Sequence, residues 1–579
     1  MIREAIYHRI YSDYAYALSR EDLLIKIRTK KGDRIRVNLI YLDKYKYNRN
    51  KETFTTEMKK VASDSLFDYY EAVIRHNFIS VNYFFELSDG AETLYYGNYL
   101  FSEEPPDEGE EFFNFPVMDG KDLFVVPEWA KEAIIYQIFP ERFCNGDPSN
   151  DPEDVKPWDS EVNRSIMLGG DLKGIIGKLD YIEDLGVNAI YMTPVFKAGS
   201  NHKYDTYDYF QIDPQFGSLE TLKELVHKAH KRKIKVILDA VFNHSGVEFF
   251  PFRDVLKNGE KSEYRDWFDI RKFPVEVRDD PDYRTFAYGG HMPKMITENE
   301  AVKSYLIDVA TYWIKEADID GWRLDVADEV GHHFWREFRK AVKAVKPEAL
   351  VVGEVWYDSS AWLQGDQFDS VMNYIFTGAL KDFIAFEKIN AREFGERMES
   401  IRGMYKLPAY NILWNLIGSH DTARFLTVSK EDVRKLKLAA FVQMTFAGIP
   451  MIYYGDEIGM TGENDPDCRK GMVWDETRQD CGLREYYKKL ISLRKENKAL
   501  TRGDFTTVLA EAETNIYGFR RSFSTECIEG YINNMDREQS IQVKVSRNAV
   551  DLFSGETYLP VRGRITIVLP AKSGVIIKI

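Results

Sequence analysis

Eight short β-rich strings recur between residues 122 and 502, and stretches of helical periodicity separate them. The strings are Ile134–Phe139, Ala189–Met192, Lys235–Val241, Gly321–Val326, Leu350–Val355, Val371–Tyr374, Asn411–Asn415 and Pro450–Tyr454. Amphipathic stretches such as Leu219–Lys233, Glu300–Lys315 and His333–Val345 lie between them. Alternating strand and helix demands a parallel sheet, and eight repeats predict a (β/α)8 TIM barrel of the α/β class. The interval between the third and fourth strings is unusually long. Residues 243–297 are therefore expected to form an inserted loop-rich subdomain over the catalytic end, dividing the barrel into 122–242 and 298–502.

The flanks follow another rhythm. Leu23–Arg28, Arg34–Leu39, Tyr83–Leu87 and Leu94–Gly97 alternate with period two, with turns at Lys31-Gly32-Asp33 and Asp89-Gly90. Residues 1–121 are thus expected to form an N-terminal β-sandwich, left through the acidic, Pro-containing stretch Glu103–Glu108. The same alternation returns in Thr514–Phe519, Ile541–Val545 and Ile565–Leu569, predicting a C-terminal β-sandwich over 503–579. A chain of 579 residues needs several cores in any case.

Charge and cysteine usage narrow the partners. With 78 Lys and Arg against 93 Asp and Glu, the net charge of −15 argues against a surface for nucleic acid or an acidic membrane. Cys144, Cys468, Cys481 and Cys527 are too few and scattered for a disulfide scaffold or a zinc ribbon, as expected in a reducing compartment. Met1–His8 lacks a basic segment followed by an apolar one. The most apolar run, Leu438–Tyr454, is broken by Gln443, Thr445, Gly448 and Pro450, which predicts a buried helix running into a strand. A cytoplasmic location is the expectation.

In a parallel barrel, side chains at the C-terminal strand ends converge on one pocket. Those positions hold Asp239, Asn243 and His244 on the third string, Arg323 and Asp325 on the fourth, Glu354 on the fifth, and His420 with Asp421 after the seventh. Singly, each has a structural explanation: Asp325 as partner of Arg323, Glu354 as a helix cap, His420 as a core histidine. Asp239 is assigned to such a role, holding Arg323 or a neighbour. Four carboxylates aimed at one cavity are not a packing solution, because unpaired buried charge is costly. No GxxxxGK[ST], HExxH, CxxC or GxSxG pattern occurs, so nucleotide, zincin, thiol-redox and serine-hydrolase chemistry lose their usual signals. Carboxylate chemistry remains, and glycoside hydrolysis is its leading reaction.

Four blocks carry a resemblance: Asp239–His244, Gly321–Glu329, Gly353–Trp356 and Ser419–Thr422. In this order at strand ends, they resemble the α-amylase family of glycoside hydrolases. The domain plan and the string Met292-Pro293-Lys294-Met295 are similar to its neopullulanase/cyclomaltodextrinase/maltogenic-amylase branch. The resemblance implies Asp325 as nucleophile, Glu354 as general acid/base and Asp421 as transition-state stabiliser. Asp325 lies two residues from Arg323 along a strand and so on the same face, where the cation should keep it ionised. Glu354 must begin protonated to act as an acid. Retention of configuration requires these two carboxyl groups about 5–5.5 Å apart. His202, Tyr204, His244, Arg323 and His420 match sugar-binding positions, Tyr204 as a stacking platform. Phe286, Trp356, Asp465 and Arg469 are expected to line flanking subsites.

The stretch Phe139–Asp151 is dense in oxygen ligands, which suits either calcium or an Asx-turn network. The branch resemblance implies structural Ca2+ through Asn145, Asp147, Asn150, Asp151, the Gly169 carbonyl and Asp171. It also implies a homodimer through the N-terminal domain. Tyr357, Asp328 and Ala423 depart from commoner residues of the branch on the acceptor side, which bears on substrate preference and on transfer against hydrolysis. The implied activity is retaining hydrolysis of α-1,4 and some α-1,6 bonds in cyclodextrins, pullulan and maltooligosaccharides, with transglycosylation. A sucrose- or trehalose-processing transferase or isomerase of the same fold is the alternative, against which the N-terminal domain weighs. A binding module that has lost its chemistry would lack a carboxylate, and none is missing.

Overall fold

The computed structural model describes every residue except 47–51, 100, 108 and 121, so Glu108 of the acidic stretch and the 121 boundary lie outside the described residues. Among the described residues, eight parallel strands form the central sheet: β1 (Ile135–Ile138), β2 (Ala189–Met192), β3 (Lys235–Ala240), β4 (Gly321–Leu324), β5 (Leu350–Gly353), β6 (Ser370–Val371), β7 (Trp414–Leu416) and β8 (Ile449–Tyr453). The order is β6-β5-β4-β3-β2-β1-β8-β7, and a parallel bridge between Met372 and Trp414 closes the ring. Helices cover the outside, so most strand residues are buried, and the strings read as continuous apolar runs rather than alternating ones.

Local chemistry explains where two strings and two strands part company. The string Val371–Tyr374 gives only a two-residue β6, because Asn373 takes the Phe376 N–H on its side chain and starts the helix Tyr374–Leu380. In Asn411–Asn415, the Ile412 N–H is still spent on the Ala409 carbonyl of the turn Leu407–Tyr410. Pairing starts at Trp414. The segment Leu438–Tyr454 lies in the helix Val433–Thr445 and β8. No helix of the described residues is long and apolar enough to cross a membrane.

The segment after β3 carries the helix Phe250–Asn258 and short turns packed through aromatic rings such as Phe252, Phe268 and Tyr283. Lys294 pins it to the barrel, its Nζ donating to Asn243 Oδ1, the Glu329 carbonyl and Glu329 Oε2. Before the barrel, the strands Asp22–Lys30 and Phe67–Arg75 of one sheet face Arg36–Asp43 and Val81–Ser88 of another. Leu23, Ile25, Leu39 and Phe85 fill the space between them. After the barrel, Asp504–Glu511, Ile516–Phe523, Glu526–Asn533 and Ser573–Lys578 run antiparallel in the larger of two sheets. Both flanking units keep clear of the strand-end mouth by attaching to the outer helices, as at Arg402 of the helix Ala391–Met404, which pairs with Glu71.

Candidate active site

Register brings the acids together. Asp239 of β3 is paired with Arg323 of β4, and Leu324 with Gly353 of β5. Asp325 and Glu354 therefore occupy matching positions one step beyond neighbouring strands, which run about 4.8 Å apart. The Glu354 N–H donates to the Leu324 carbonyl at 2.9 Å, holding that match. Gly353 has to be glycine, since a Cβ there would collide with the Phe368 ring.

The Arg323 guanidinium has no solvent exposure and contacts three carboxylates. Its Nη1 donates to Asp239 Oδ2 at 2.9 Å and to Asp325 Oδ1 at 2.8 Å. Its Nη2 lies 2.7 Å from Glu354 Oε2, yet it makes no aligned hydrogen bond, so that contact is one of charge alone. This corrects the expectation that the cation simply keeps Asp325 ionised. Burial pushes the Asp325 carboxyl well above its ordinary range; Arg323 opposes this, but Glu354 and Asp239 repel its anion. Asp239 is pushed up to about 6 by burial, against the pull of Arg323. One cation shared by three acids leaves room for a proton among them.

Glu354 is held from two further sides. Its Oε2 accepts the Val326 N–H at 3.1 Å and its Oε1 the Trp356 indole N–H at 3.2 Å. Val326 adopts a left-handed backbone (φ 43°), rare for a β-branched residue and characteristic of functional sites. The Trp356 ring stacks on Tyr374 at 3.7 Å, so both its edge and its face are fixed.

These acids open into a cavity of about 710 Å3. Its walls bring together Asp325, Glu354 and Asp421 with His202, Tyr204, His244, Phe286, Trp356, Asp465 and Arg469. Arg323 and His420 lie one layer behind and are fully buried. Asp328 and Tyr357 line the cavity, whereas Ala423 does not. Burial raises the Asp421 carboxyl, while Arg469 draws it down from 3.3 Å. Arg469 also donates to the His420 carbonyl at 2.7 Å and pairs with Asp465 at 2.9 Å, so it orders the whole 420–421 loop. Phe286, from the inserted segment, stacks on His244 at 4.9 Å. Burial lowers His244 to about 3 and His202 to about 4, and holds His420 well below the usual imidazole range. At neutral pH all three are neutral groups with one donor and one acceptor nitrogen each.

Comparison with known proteins identifies the lineage. The α-amylase catalytic domain matches residues 137–482, and the α-amylase N-terminal Ig-like domain matches residues 1–119. The chain belongs to the α-amylase family of glycoside hydrolases. It is 48% identical over 576 residues to a cyclomaltodextrinase of Geobacillus thermopakistaniensis, covering 98% of each chain. It is 46% identical to neopullulanase 2 of Thermoactinomyces vulgaris, covering 100% of this chain and 99% of that one. A solved cyclomaltodextrinase structure superposes with a TM-score of 0.96 at 46% identity, covering all of both chains.

Some functional groups of this α-amylase-family site escaped the sequence reading. Tyr191 donates its hydroxyl to Asp239 Oδ2 at 2.6 Å, and Gln137 Nε2 lies 2.7 Å from His420 Nδ1. Both sit inside strings recognised only as apolar strands. The available signal was a lone glutamine between Tyr136 and Ile138 in a fully buried strand. Glu329 stood inside the Gly321–Glu329 block without a role of its own, and Tyr374 read only as the end of the sixth string.

The six candidate calcium-loop residues also gather in one place. Asn145 Nδ2 donates to Asp151 Oδ1 at 2.8 Å, and Asp171 accepts the backbone N–H groups of Gly146, Asp147 and Gly174. A Cβ on Gly169 (φ 81°) would run into Asp151 and Asn145. The side-chain oxygens of Asn145 and Asn150 are buried and have no partner. Asp147 is turned to Lys173 Nζ at 2.8 Å. Among the described residues, no three acidic, histidine or cysteine side chains converge as a metal cage. This loop offers amide and carbonyl oxygens instead.

Proposed function

We propose that this chain is a retaining glucan hydrolase that cleaves α-1,4 and some α-1,6 bonds of cyclodextrins, pullulan and maltooligosaccharides, and transfers part of the product to sugar acceptors. The observation that carries the reading is the single buried guanidinium of Arg323 in contact with Asp325 and Glu354, at matching ends of adjacent strands beneath the cavity. Acids at adjacent strand ends that share one guanidinium are the arrangement direct attack by Asp325 needs, with their carboxyl groups expected about 5–5.5 Å apart.

In the first step an Asp325 carboxylate oxygen forms a bond to the anomeric carbon as the glycosidic C–O bond breaks. Glu354 gives its proton to the departing oxygen. Asp239, Asp325 and Glu354 share one cation, so the proton retained among them is available for this role. In the second step Glu354, now anionic, takes a proton from a water whose oxygen displaces Asp325 from the sugar; a sugar hydroxyl in place of that water gives transfer. Asp421, held by Arg469, accepts hydrogen bonds from ring hydroxyls. Tyr204, Phe286 and Trp356 offer flat faces to pyranose rings.

In the loop around Asn145, the unpartnered amide oxygens of Asn145 and Asn150 would hold calcium first. Asp151, Asp171, the Gly169 carbonyl and Asp147 would complete the set once Asp147 leaves Lys173 and the carboxylates close on the ion. There the ion would tie the loop after β1 to the segment before β2, a structural role away from the reacting atoms. Four cysteines without a disulfide agree with a cytoplasmic address. The N-terminal sandwich is the candidate dimerisation unit. Chromatography of products from β-cyclodextrin, pullulan and starch tests the activity: maltose from the first and trisaccharides retaining an α-1,6 bond from the second, ahead of starch, are expected. Cleavage of sucrose or trehalose alone would establish the alternative reading. Sedimentation at micromolar concentration is expected to give a dimer, and a strict monomer would remove that part.

A further inference from the structure

Gln137 stands mid-strand in β1 with no solvent exposure, and its amide oxygen has no partner. Its Nε2 lies 2.7 Å from His420 Nδ1. On the far edge of that imidazole, Nε2 lies 2.6 Å from the Tyr204 hydroxyl and 3.2 Å from Asp421 Oδ2. The Tyr204 hydroxyl in turn donates to Asp239 Oδ2 at 3.1 Å, and Asp239 is held by Arg323. A neutral imidazole carries its proton on one nitrogen, chosen by what the other meets. An amide NH2 at Nδ1 makes that nitrogen the acceptor and leaves the proton on Nε2. The opposite tautomer would aim an Nε2 lone pair toward the Asp421 carboxylate. With the proton on Nε2, every donor in the chain has an acceptor and all point one way, from Gln137 through His420 and Tyr204 to Asp239.

We propose that Gln137 is a positioning residue of this site: its amide fixes the Nε2–H tautomer of His420, which turns the Tyr204 hydroxyl toward Asp239 and presents the Tyr204 ring to the cavity as a fixed flat face. The His420 and Tyr204 rings are held nearly parallel, with 5° between their planes and centroids 5.5 Å apart. The role of that face in binding a sugar rests on the glucan-hydrolase reading; the tautomer does not. Supporting hydrogen bonds of this kind are typically worth about 10–100-fold in activity.

The test is the imidazole 15N spectrum of the full chain labelled at histidine, with His420 assigned by the signal lost in His420→Gln. Wild type is expected to show a protonated Nε2 and a bare Nδ1. Gln137→Glu puts an acceptor where the donor was and is expected to move the proton to Nδ1. Gln137→Leu keeps the bulk, and is expected to lose kcat/KM by about 10–100-fold at an unchanged melting temperature. A protonated Nδ1 in wild type overturns the proposal without recourse to any variant. So does a Gln137→Leu enzyme with wild-type kcat/KM, or an unchanged tautomer in folded Gln137→Glu. A wild-type chain with the expected tautomer but no hydrolysis of any glucan would instead sink the functional reading and leave this one standing.

Discussion

Two buried arginines in this molecule meet carboxylates in opposite proportions. At the seam between the N-terminal sandwich and the barrel, Arg402 faces Glu71 alone, with two parallel hydrogen bonds of 2.9 and 2.5 Å. Burial works against the Glu71 anion there, but the charge and paired bonds of Arg402, with the charge of Lys26, outweigh it and hold the carboxyl below its usual range. At the catalytic mouth, Arg323 is divided among Asp239, Asp325 and Glu354, and burial wins at Asp325 and Asp239. The chemistry of the contact is the same; stoichiometry sets the outcome. Around Glu71 the cations outnumber the acid, since Lys26 Nζ also stands 4.0 Å from it, and the bidentate pair is a permanent fastener. A three-to-one cluster leaves the carboxyl groups of Asp325 and Asp239 raised above their ordinary range, which suits acid–base work.

The sharpest way to break this contrast is to remove one charge from each cluster. Asp325→Asn is expected to lower kcat by roughly 10⁴-fold or more while leaving the melting temperature near that of wild type. Activity within tenfold of wild type would reject Asp325 as the nucleophile. Glu71→Ala should do the reverse, stranding a buried guanidinium at a cost of about 3–5 kcal/mol. Calorimetry should show the loss, with kcat/KM of the remaining folded enzyme unchanged. An unaltered unfolding profile would mean that the seam pair contributes little.

Histidines sharpen the same comparison through pH. His8 sits in the N-terminal core beside that seam, its Nδ1 2.6 Å from the Lys26 carbonyl oxygen and its Nε2 2.8 Å from the Tyr83 hydroxyl. Burial lowers it to about 3 from 6.5. The native state thus binds this proton less tightly than the unfolded chain. Its contribution to stability is complete above pH 6.5 and drains away as pH falls toward 3, by about 1.4 kcal/mol per pH unit. Melting curves of His8→Gln should be flatter than wild type across that window; identical slopes would refute the assignment. The smallest effect is expected from chelation. Removing calcium should lower the melting temperature by a few degrees and restore it on calcium addition. A chain with no bound calcium and no response to chelator would dismiss the loop site.

Much of this was legible in the residue order. The eight strings gave the barrel, because strands buried on both faces are apolar throughout and cannot be confused with half-exposed ones. Strand ends placed Asp325, Glu354 and Asp421 among eight candidates, and the family resemblance singled these three out. Gln137 and Tyr191 were not legible, because an inward side chain in a closed barrel has no period that marks it against its neighbours. The short β6 was hidden for a related reason: Val371–Tyr374 is apolar enough for a strand, but the Asn373 side chain captures the backbone first. Both flanking sandwiches were visible as alternation, yet which helix each would rest on was not.

The linear sequence by itself determined which acids exist, which strand ends carry them, and that Arg323 shares a face with Asp325. Those are local properties, set by spacing and by the two-residue period of a strand. Only the closed barrel decided that Asp239 and Glu354 reach the same guanidinium, that His420 meets Gln137 from β1, and that Asp325 therefore sits above its ordinary range. Proton affinity depends on every charge within a few ångströms and on the water excluded around it, and both are fixed by contacts between residues far apart in the chain.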